Sequence, residues 1–570
     1  MSAPSGQGRL GGLGIVSGIS AILLLIFAIL PLLVLIVKSF WGQGGLSLEP
    51  LLAASSDPAT WTSTGTTVLV ALGTSAATVL IGVPAAWLLA RTDVPGREAL
   101  RTALAMPYAI PSYVLAIGWI ALLNPRSGLI NGAWMALTGA ESAPLDIYST
   151  WGMIFVLALA YYPLVLLQTY AALMGLDPSM EEAARTSGAT PLRVLVDVTL
   201  PLVTPAIASG ALLTFLIGMS SFGVPYLIGN PARIEVLTTS IYNAIDVGTE
   251  AHMARAVALA LVLGLVAAAA LGINRALVAR GKALQGGKAG RPGLVALGRW
   301  RRPASIGLWA LAFVALGVPM LVLVVTSLMT TFGRGFNLDN LSLSNYAQVF
   351  GDRRTLDSMW MSLWLSAATA TLCVVIGTIA SYARARTALP GRSLIPFAAE
   401  LPYAIPGTVL AMGFILTFSQ ELRIILFDAI TFKILLFNTS WILLAAFCVK
   451  YLAYGVRTSD AALTQIDVSL EEAARTSGAT PLTVLRGIVF PLLRPSLVAA
   501  WVLVFLPVLG EVTISILLFG PETRTLGVLL FDYQTYESPP KAAVLASLLA
   551  GTVLVGNLLI KKLSGGRLGI

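Results

Sequence analysis

A block of twelve residues occurs twice in this chain of 570 residues. Glu181–Leu192 reads EEAARTSGATPL, and Glu471–Leu482 repeats it letter for letter 290 positions later. Both copies are polar and lie in apolar surroundings. An identical polar surface at two matched places indicates two halves that present the same contact to the same kind of partner, and it argues against a single catalytic site.

The residues around the two blocks are apolar enough to cross a membrane. Hydrophobic residues make up 57% of the chain and charged residues 11%, and so few charges could not cover the apolar surface of a soluble protein. Runs of about 20 apolar residues, enough to cross ~30 Å of hydrocarbon, recur throughout. They predict twelve transmembrane spans: roughly 13–38, 65–90, 102–123, 151–173, 205–229, 254–279, 305–329, 359–383, 396–418, 438–458, 496–519 and 541–560.

The basic residues predict the orientation of these spans. With both termini in the cytoplasm, the inner loops are basic and the outer loops are mixed or acidic, as the positive-inside rule requires. The inner basic residues include Arg91, Arg97, Arg101, Arg384, Arg386 and Arg392, and residues 275–302 hold eight more and no acid. The net charge of +9 therefore reflects the topology of the chain in a lipid bilayer. Nucleic-acid binding would need a basic face on a soluble domain, which the sequence does not predict.

The repeat extends beyond the block. Leu200-Pro201-Leu202 matches Phe490-Pro491-Leu492, and Pro107–Pro111 (PYAIP) matches Pro402–Pro406 at an offset of 295. Each half holds six predicted spans, an even number, so both halves have the same orientation. We therefore predict an all-α integral membrane protein with twelve transmembrane helices in two parallel six-helix repeats. The predicted boundaries are 1–279 and 303–570, joined by a flexible, basic cytoplasmic linker, 280–302.

Each block predicts a short helix on the cytoplasmic side. Ser179 with Glu182, and Ser469 with Glu472, have capping-box spacing, and both Glu181 and Glu182 are spaced to pair with Arg185. Gly188 and Gly478 suit a helix end with positive φ. A second short helix is expected to start at Thr190-Pro191 and to stop at Pro201. The alternative interpretation is an interfacial helix that only covers the bundle.

The block and the residues after it resemble the EAA coupling motif of ABC-importer permeases. The first copy is Glu182-Ala183-Ala184, Gly188 and Val198–Pro201, and the second is Glu472-Ala473-Ala474, Gly478 and Ile488–Pro491. Val198 and Phe490 depart from the usual Ile-x-Leu-Pro ending, but both remain apolar. In that family the short helix fits a cleft on the nucleotide-binding subunit. The resemblance implies these ATPase-coupling residues: Glu181, Glu182, Ala183, Ala184, Arg185, Gly188, Glu471, Glu472, Ala473, Ala474, Arg475 and Gly478.

The resemblance also implies the partners and the location. They are two copies of an ABC ATPase subunit, a binding protein outside the cytoplasm, and the cytoplasmic (inner) membrane of a prokaryote. The chain has no G-x-x-x-x-G-K-[ST] phosphate loop; the nearest fragment is Gly286–Ala289. We identified no catalytic set and no metal-ligand spacing, so we expect no enzyme activity, cofactor or metal site on this chain. ATP and Mg²⁺ would bind the partner subunit.

Two features suggest residues of the transport pathway. Paired prolines interrupt the third and ninth predicted spans, which makes Tyr108, Pro111, Tyr403 and Pro406 candidates; the alternative is a kinked packing helix. Glu511 lies inside the eleventh predicted span, where a carboxylate is costly, and its repeat partner is Ser221. Glu511 could instead pair with a polar neighbour or lie at the outer interface, but its own span holds no cation, which favours a pathway role.

The substrate is predicted only by resemblance. Residues 511–521 (EVTISILLFGP) and the fused length are most similar to the ferric-iron ABC permease group, whereas related groups carry thiamine, polyamines, phosphonates or sugar phosphates. A secondary transporter with parallel repeats is another class, but it gives no reason for the duplicated block. A membrane enzyme or scaffold is a third class, and the sequence supplies no chemistry for it.

Overall fold

The computed structural model describes residues 25–42, 45–284, 294–334, 337–386, 399–400, 402, 405–419, 422–426 and 430–563. Its helices up to the linker are α1 (Leu30–Ser39), α2 (Glu49–Ser56), α3 (Pro58–Arg91), α4 (Arg97–Ala105), α5 (Ser112–Leu123), α6 (Leu129–Thr138), α7 (Thr150–Met174), α8 (Pro178–Thr186), α9 (Pro191–Val194), α10 (Leu200–Ser220), α11 (Leu237–Val247) and α12 (Glu250–Leu284).

Twelve further helices are described after the linker. They are α13 (Arg301–Ala312), α14 (Val318–Leu328), α15 (Ser344–Gly351), α16 (Arg353–Arg386), α17 (Gly407–Phe418), α18 (Ser440–Leu463), α19 (Val468–Thr476), α20 (Pro481–Val484), α21 (Phe490–Leu509), α22 (Ser515–Leu518), α23 (Leu526–Asp532) and α24 (Pro539–Leu563). Two small antiparallel hairpins lie outside the helices: β1 (Trp41–Gly42) with β2 (Gly45–Leu46), and β3 (Leu422–Leu426) with β4 (Ile430–Ile434). The predicted all-α membrane fold is confirmed.

Nine helices of the described chain are long and apolar enough to cross a membrane. The helical segments Arg97–Ala109 and Ser112–Leu123 meet at 93° and pass the same test together, which makes ten spans if the bent pair is counted as one. The first and ninth predicted spans lie partly outside the described residues, and their described parts include the shorter apolar helices Ile26–Ser39 and Gly407–Phe418. The sidedness of the helices stays a prediction.

The predicted ends of the fifth and eleventh spans were wrong. We expected these spans to reach residues 229 and 519, but α10 ends at Ser220 and α21 ends at Leu509. Non-helical backbone follows each helix, so Ser221 and Glu511 lie just beyond a helix end. Apolar composition continues past both ends, and composition alone therefore could not locate them.

The predicted stop at Pro201 was also wrong. Short π-helical segments, Leu195–Thr199 and Leu485–Val489, join α9 to α10 and α20 to α21. The N–H of Leu200 donates to the carbonyl of Leu195, five residues back. This wider turn precedes Pro201, which has no N–H to donate, so the helix continues instead of ending.

The described residues fall into two compact units that do not coincide with the linear halves. The first-repeat unit includes Ser39–Leu356 and Val528–Val555, and the second-repeat unit takes in Met1–Lys38, Asp357–Gly527 and Gly556–Gly569. In the first-repeat unit α3 packs against α7 and α10, and α10 packs against α12. In the second-repeat unit α18 packs against α21 and α17. The predicted repeat boundaries stay a prediction.

The first span of each repeat packs on the third span of the other repeat. In the second-repeat unit, Gly413 of α17 lies against Pro31 of α1, where an added Cβ would be 2.8 Å from the Pro31 carbonyl oxygen. In the first-repeat unit, Gly118 of α5 lies against Pro319 of α14 in the same way, also at 2.8 Å. Gly118 and Gly413 are 295 positions apart, so the exchange is reciprocal and follows the sequence repeat.

The second and fourth spans of each repeat approach closely at matched glycines. A Cβ on Gly82 of α3 would lie 3.0 Å from the Tyr162 carbonyl oxygen of α7. A Cβ on Gly377 of α16, again 295 positions later, would lie 2.5 Å from the Gly455 carbonyl carbon of α18. Small residues let helix backbones come together in a membrane, where packing rather than hydrophobic burial drives association.

We therefore predict that Gly377→Ala lowers the stability of the protein by about 1–3 kcal/mol, because the new methyl group meets backbone that cannot rotate away. Gly551→Ala in α24 is the matched control, since a Cβ there has no atom within 4 Å among the described residues. Thermal unfolding in detergent measures both variants. Equal melting temperatures for Gly377→Ala and the wild type would contradict the packing described.

Candidate functional site

The helices α8 and α19, which carry the repeated block and which we call the block helices, begin two residues earlier than predicted. The carboxylate of Asp177 accepts a hydrogen bond from the Ser179 N–H at 2.9 Å, and Pro178 is the first helical residue. Asp467 accepts from the Ser469 N–H at 3.0 Å. The predicted capping boxes at Ser179 and Ser469 were therefore wrong, because Asp is a strong N-cap and Pro suits the first helical position.

These caps make the start of each block helix pH-dependent. Hydrogen bonds from the backbone N–H and the side chain of Ser179 hold the pKa of Asp177 below its ordinary value, and Ser469 does the same for the pKa of Asp467. A carboxyl group whose folded-state pKa is depressed stabilises the fold above its unfolded pKa. That contribution is lost as the pH falls through the folded value.

The block helices end as the sequence predicted. Gly188 and Gly478 have φ of +86° and +85°. The Ala189 N–H donates to the Ala184 carbonyl at 3.0 Å, and the Ala479 N–H donates to the Ala474 carbonyl at the same distance. This six-to-one bond is the Schellman ending, which needs a left-handed residue before it. An added Cβ at either glycine has no atom within 4 Å among the described residues, so backbone conformation alone requires glycine.

The two glutamates at the start of each block face opposite ways. Glu181 and Glu471 are only 6% and 2% exposed, whereas Glu182 and Glu472 are exposed. The two alanines of each block also differ in exposure, in the same way in both copies. Ala183 and Ala473 are exposed, and Ala184 and Ala474 are partly buried, the latter against the buried cluster around Leu463 and Leu493. Arg185, Gly188 and Gly478 are exposed, and the side chain of Arg475 lies outside the described residues.

In the first repeat, Glu181 ties its block helix to the end of α3. Its carboxylate lies 3.3 Å from Nη2 of Arg91, a residue that is 2% exposed. The Thr199 hydroxyl of the π-helical segment donates to Glu181 at 2.8 Å. The predicted pair with Arg185 is present at a longer 3.7 Å. The predicted pair of Glu182 with Arg185 is not among the described contacts.

In the second repeat, Glu471 makes the equivalent connection to α16. Nε of Arg386 donates to its carboxylate at 2.8 Å, and the Tyr382 hydroxyl donates to it at 3.3 Å. Nη2 of Arg386 also donates to the Ile466 carbonyl at 2.8 Å. The same buried ion pair therefore fixes both block helices to the end of a membrane-spanning helix.

This role of Arg91 and Arg386 was not predicted from the sequence. We treated both as inner-loop charges, although they occupy matched positions 295 apart. That match was the available signal, since a charge at the end of an apolar span that recurs at one repeat offset suggests a shared partner.

The pathway candidates of the first repeat lie around the broken third span. The 3₁₀ segment Met106–Ala109 precedes Pro111, and α5 begins at Ser112, so the predicted interruption at the paired prolines is confirmed. The ring of Tyr108 packs edge-on to Tyr161 at 6.2 Å between centroids. The Tyr161 hydroxyl donates to the Ser112 hydroxyl at 3.0 Å.

The chain that follows α10 reaches this break; residues 221–222 are non-helical, and a helical segment begins at Gly223. Ser221, whose carbonyl accepts from Thr238 at 2.7 Å, is followed two residues later by Gly223. A Cβ on Gly223 would lie 2.7 Å from the Cβ of Tyr113, at the start of α5. The structure thus brings the neighbourhoods of Pro111 and Ser221 together. Ser221 is separated from the block helix by α10, whose 21 residues span about 30 Å.

The second repeat repeats this arrangement. Pro406 is buried immediately before α17, and a Cβ on Gly407 would lie 3.2 Å from the side chain of Thr513. Thr513 is the repeat partner of Gly223, 290 positions later, and it follows Glu511 by two residues. Tyr403 lies outside the described residues.

Glu511 has partners that the sequence did not reveal. Its buried carboxylate accepts hydrogen bonds from the N–H groups of Ile514 at 2.9 Å and Ser515 at 3.0 Å. Lys450, in the middle of α18, interacts electrostatically with it and donates to the carbonyl of Ile405, next to the proline break. An ammonium group inside a membrane-spanning helix is costly unless it is paired. Lys450 therefore connects α18, the break before α17 and the unwound segment after α21.

We predict that Glu181→Gln destabilises the protein by about 3 kcal/mol, because it leaves the buried guanidinium of Arg91 without its counter-charge. Glu182→Gln is the control, since the neighbouring carboxylate is exposed and should change stability by less than about 0.5 kcal/mol. Thermal unfolding in detergent compares the two. If Glu182→Gln costs more than Glu181→Gln, the assignment of inward and outward glutamates is wrong.

We also predict that Glu511→Gln destabilises the protein, because Lys450 would lose the negative charge with which it interacts electrostatically. Adding Lys450→Met should restore much of that loss, since removing both charges is far less costly than removing one. The exposed Glu522→Gln serves as the control. Equal unfolding temperatures for the single and double variants would show that the two charges are not coupled.

Both repeats match a known family of transport proteins. Residues 79–282 and 390–564 match the family described as "Binding-protein-dependent transport system inner membrane component", once in each repeat. A probable ABC transporter permease protein, y4fN, from Sinorhizobium fredii is 28% identical over 88% of this chain and 87% of its own length.

Two further relatives have named substrates. The ferric transport system permease protein FbpB of Actinobacillus pleuropneumoniae is 26% identical over 74% of this chain, which spans 59% of that protein's length. The putrescine transport system permease protein PotI of Escherichia coli K12 is 29% identical over 44% of this chain and 88% of its own length. Since the family match covers both repeats, the chain belongs to the binding-protein-dependent transport system inner membrane components, and it is a permease subunit of an ABC importer.

Proposed function

We propose that this permease carries ferric iron across a prokaryotic inner membrane, driven by two copies of an ABC ATPase. Each ATPase docks on one block helix, and a binding protein outside the cytoplasm delivers the substrate. ATP and Mg²⁺ bind the ATPase subunits, and this chain supplies no catalytic group. Both termini lie in the cytoplasm, on the side of the block helices.

One observation supports docking of two ATPase copies above all others. The two block helices share their cap, their left-handed end, their buried glutamate and their exposed Glu182-Ala183 or Glu472-Ala473 edge. An exposed carboxylate beside a methyl-sized surface suits a close contact with another backbone. Glu181 and Glu471 form ion pairs with arginines at the ends of α3 and α16. A displacement of the block helix would therefore act directly on membrane-spanning helices.

The proposal of ferric iron is supported by the relatives whose names state a substrate and which match most of this chain. The ferric permease of Actinobacillus pleuropneumoniae and a second from Haemophilus influenzae each match 74% of it. The putrescine permease matches 44% and is a single-repeat relative by length. Polyamine transport is accordingly the alternative to test beside iron.

Uptake into proteoliposomes containing this chain, its ATPase and its binding protein distinguishes the two substrates. We expect ATP-dependent accumulation of radioactive Fe³⁺ and none of putrescine. Accumulation of putrescine alone would replace iron as the substrate while leaving the importer assignment in place. Accumulation of either substrate without ATP would contradict an ATP-driven mechanism.

We predict that Gly188→Val or Gly478→Val lowers substrate-stimulated ATP hydrolysis about tenfold. A branched residue held at φ near +85° costs at least 1–2 kcal/mol and should shift the end of the block helix. Gly188→Asn and Gly478→Asn are the controls, because Asn tolerates the left-handed conformation and the space around both glycines is open. Equal losses in the Val and Asn variants would show that the glycine surface, rather than its backbone conformation, matters.

A further inference from the structure

A cavity of about 310 Å³ lies beside the first block helix. Its polar wall is formed by Arg91, Glu181 and Arg185, and its apolar wall includes Trp87, Val194 and Leu294. The cavity is at the end of α3, where the chain leaves the predicted inner face of the membrane.

Arg91 is an unusual residue to find on such a wall. Its side chain is 2% exposed, yet none of its three guanidinium nitrogens has a hydrogen-bond acceptor among the described residues. The ion pair with Glu181 supplies charge at 3.3 Å but not a hydrogen bond of good geometry. A buried donor left without an acceptor costs about 1–3 kcal/mol, and more when it is charged, so such groups are rare unless something binds them.

The matched arginine of the second repeat shows that the motif itself does not require this. Arg386 donates to Glu471 at 2.8 Å and to the carbonyl of Ile466 at 2.8 Å. The repeated Glu–Arg pair can therefore be hydrogen-bonded within the chain, through Nε and Nη2 of the arginine. Among the described residues of the two pairs, the buried guanidinium nitrogens without an acceptor are those of Arg91.

The end of the linker supplies the remaining wall. We expected a flexible tether over residues 280–302, but its described part from Leu294 onward is bonded to the chain that follows α3. The Val295 N–H donates to the Arg91 carbonyl at 2.8 Å, and the Leu297 N–H donates to the Asp93 carboxylate at 3.0 Å. Nε of Arg301 donates to the Asp93 carbonyl at 2.8 Å. These bonds hold residues 294–301 beside the cavity, at the end of α3.

The charges of the cavity indicate its ligand. Arg91 and Arg185 carry two positive charges, and Glu181 carries one negative charge, which leaves one positive charge facing a partly apolar space. The planar guanidinium presents paired donors that match two oxygens of a phosphate group. Apolar walls beside the guanidinium suit a phosphate that is bonded to an organic group.

We propose that this cavity binds one phosphate group, whose oxygens accept hydrogen bonds from Arg91. The group is either a soluble phosphate or the headgroup of an anionic phospholipid from the inner leaflet. A bound phosphate joins the end of α3, the linker and the first block helix, and so acts on one of the two otherwise equivalent block helices. This proposal does not depend on the substrate or on the ATPase, because it concerns binding to this chain alone.

Two binding measurements on the purified full-length chain test the proposal. Equilibrium dialysis with radioactive inorganic phosphate at constant ionic strength reports the soluble source. Native mass spectrometry of the chain released from phosphatidylglycerol-containing detergent micelles reports the lipid source. We expect about one equivalent per chain in at least one of the two measurements.

Two variants locate the binding. Ala296→Trp fills the cavity from the linker side, where Ala296 lines it, and leaves the residues Arg91 and Glu181 unchanged. Arg91→Gln with Glu181→Gln removes both charges together, so that no unpaired charge stays buried. Each should weaken binding at least tenfold, the loss expected for a charge-assisted hydrogen bond. The matched control, Arg386→Gln with Glu471→Gln, should leave binding unchanged.

The outcomes decide between the sources and test the site. Phosphate bound by the wild type and lost in Ala296→Trp establishes a soluble ligand, and phosphatidylglycerol that behaves this way establishes a lipid. Absence of both ligands from the wild type overturns the proposal. Binding that persists in Ala296→Trp also overturns it, and this comparison remains decisive if the double variant at Arg91 and Glu181 does not fold.

Discussion

The buried ion pair between each block helix and the end of a long membrane-spanning helix is the contact on which the rest of the site depends. A helix of nine residues is too short to be stable by itself in water, so tertiary contacts must hold it. Glu181 with Arg91 and Glu471 with Arg386 provide that contact, and they also decide which side of the helix faces outward. The exposed Glu-Ala edge is a consequence of burying the preceding glutamate.

The remaining architecture repeats with the same offset as the sequence. Gly82 and Gly377 bring the second and fourth spans together, and Gly118 and Gly413 receive the first span of the other repeat. In both repeats a proline break meets the segment that follows the fifth span. The two-fold pattern fails at two places where charge is buried. Lys450 and Glu511 belong to the second repeat, and the first has Ala160 and Ser221 at the matched positions. Arg91 faces a cavity in the first repeat, whereas Arg386 donates from two of its nitrogens to Glu471 and Ile466.

Much of this could be predicted from local sequence. Hydrophobic runs predicted the spans, the literal repeat predicted two equivalent halves, and Gly188 and Gly478 were correctly expected to have positive φ. These features depend on composition and on neighbouring residues. The helix starts at Asp177 and Asp467 were also encoded locally. We placed the N-caps at Ser179 and Ser469 instead, because an overlapping Ser-x-x-Glu pattern has the spacing of a capping box.

The errors and omissions concern contacts between distant residues. No local pattern joins Arg91 to Glu181 or Lys450 to Glu511, which lie 90 and 61 positions apart. The ends of α10 and α21 could not be placed because apolar residues continue into the unwound segments. We predicted a tether because the linker is rich in Gly. Composition does not reveal the hydrogen bond from the Val295 N–H to the Arg91 carbonyl.

The account's central claim is that the two block helices are equivalent docking sites, each held in place by its own buried ion pair. Native mass spectrometry of the importer, extracted gently from its membrane, tests this most directly by counting ATPase subunits on each copy of this chain. Two ATPase subunits per chain is the result the account predicts. A stable, active complex with one ATPase subunit per chain would contradict it.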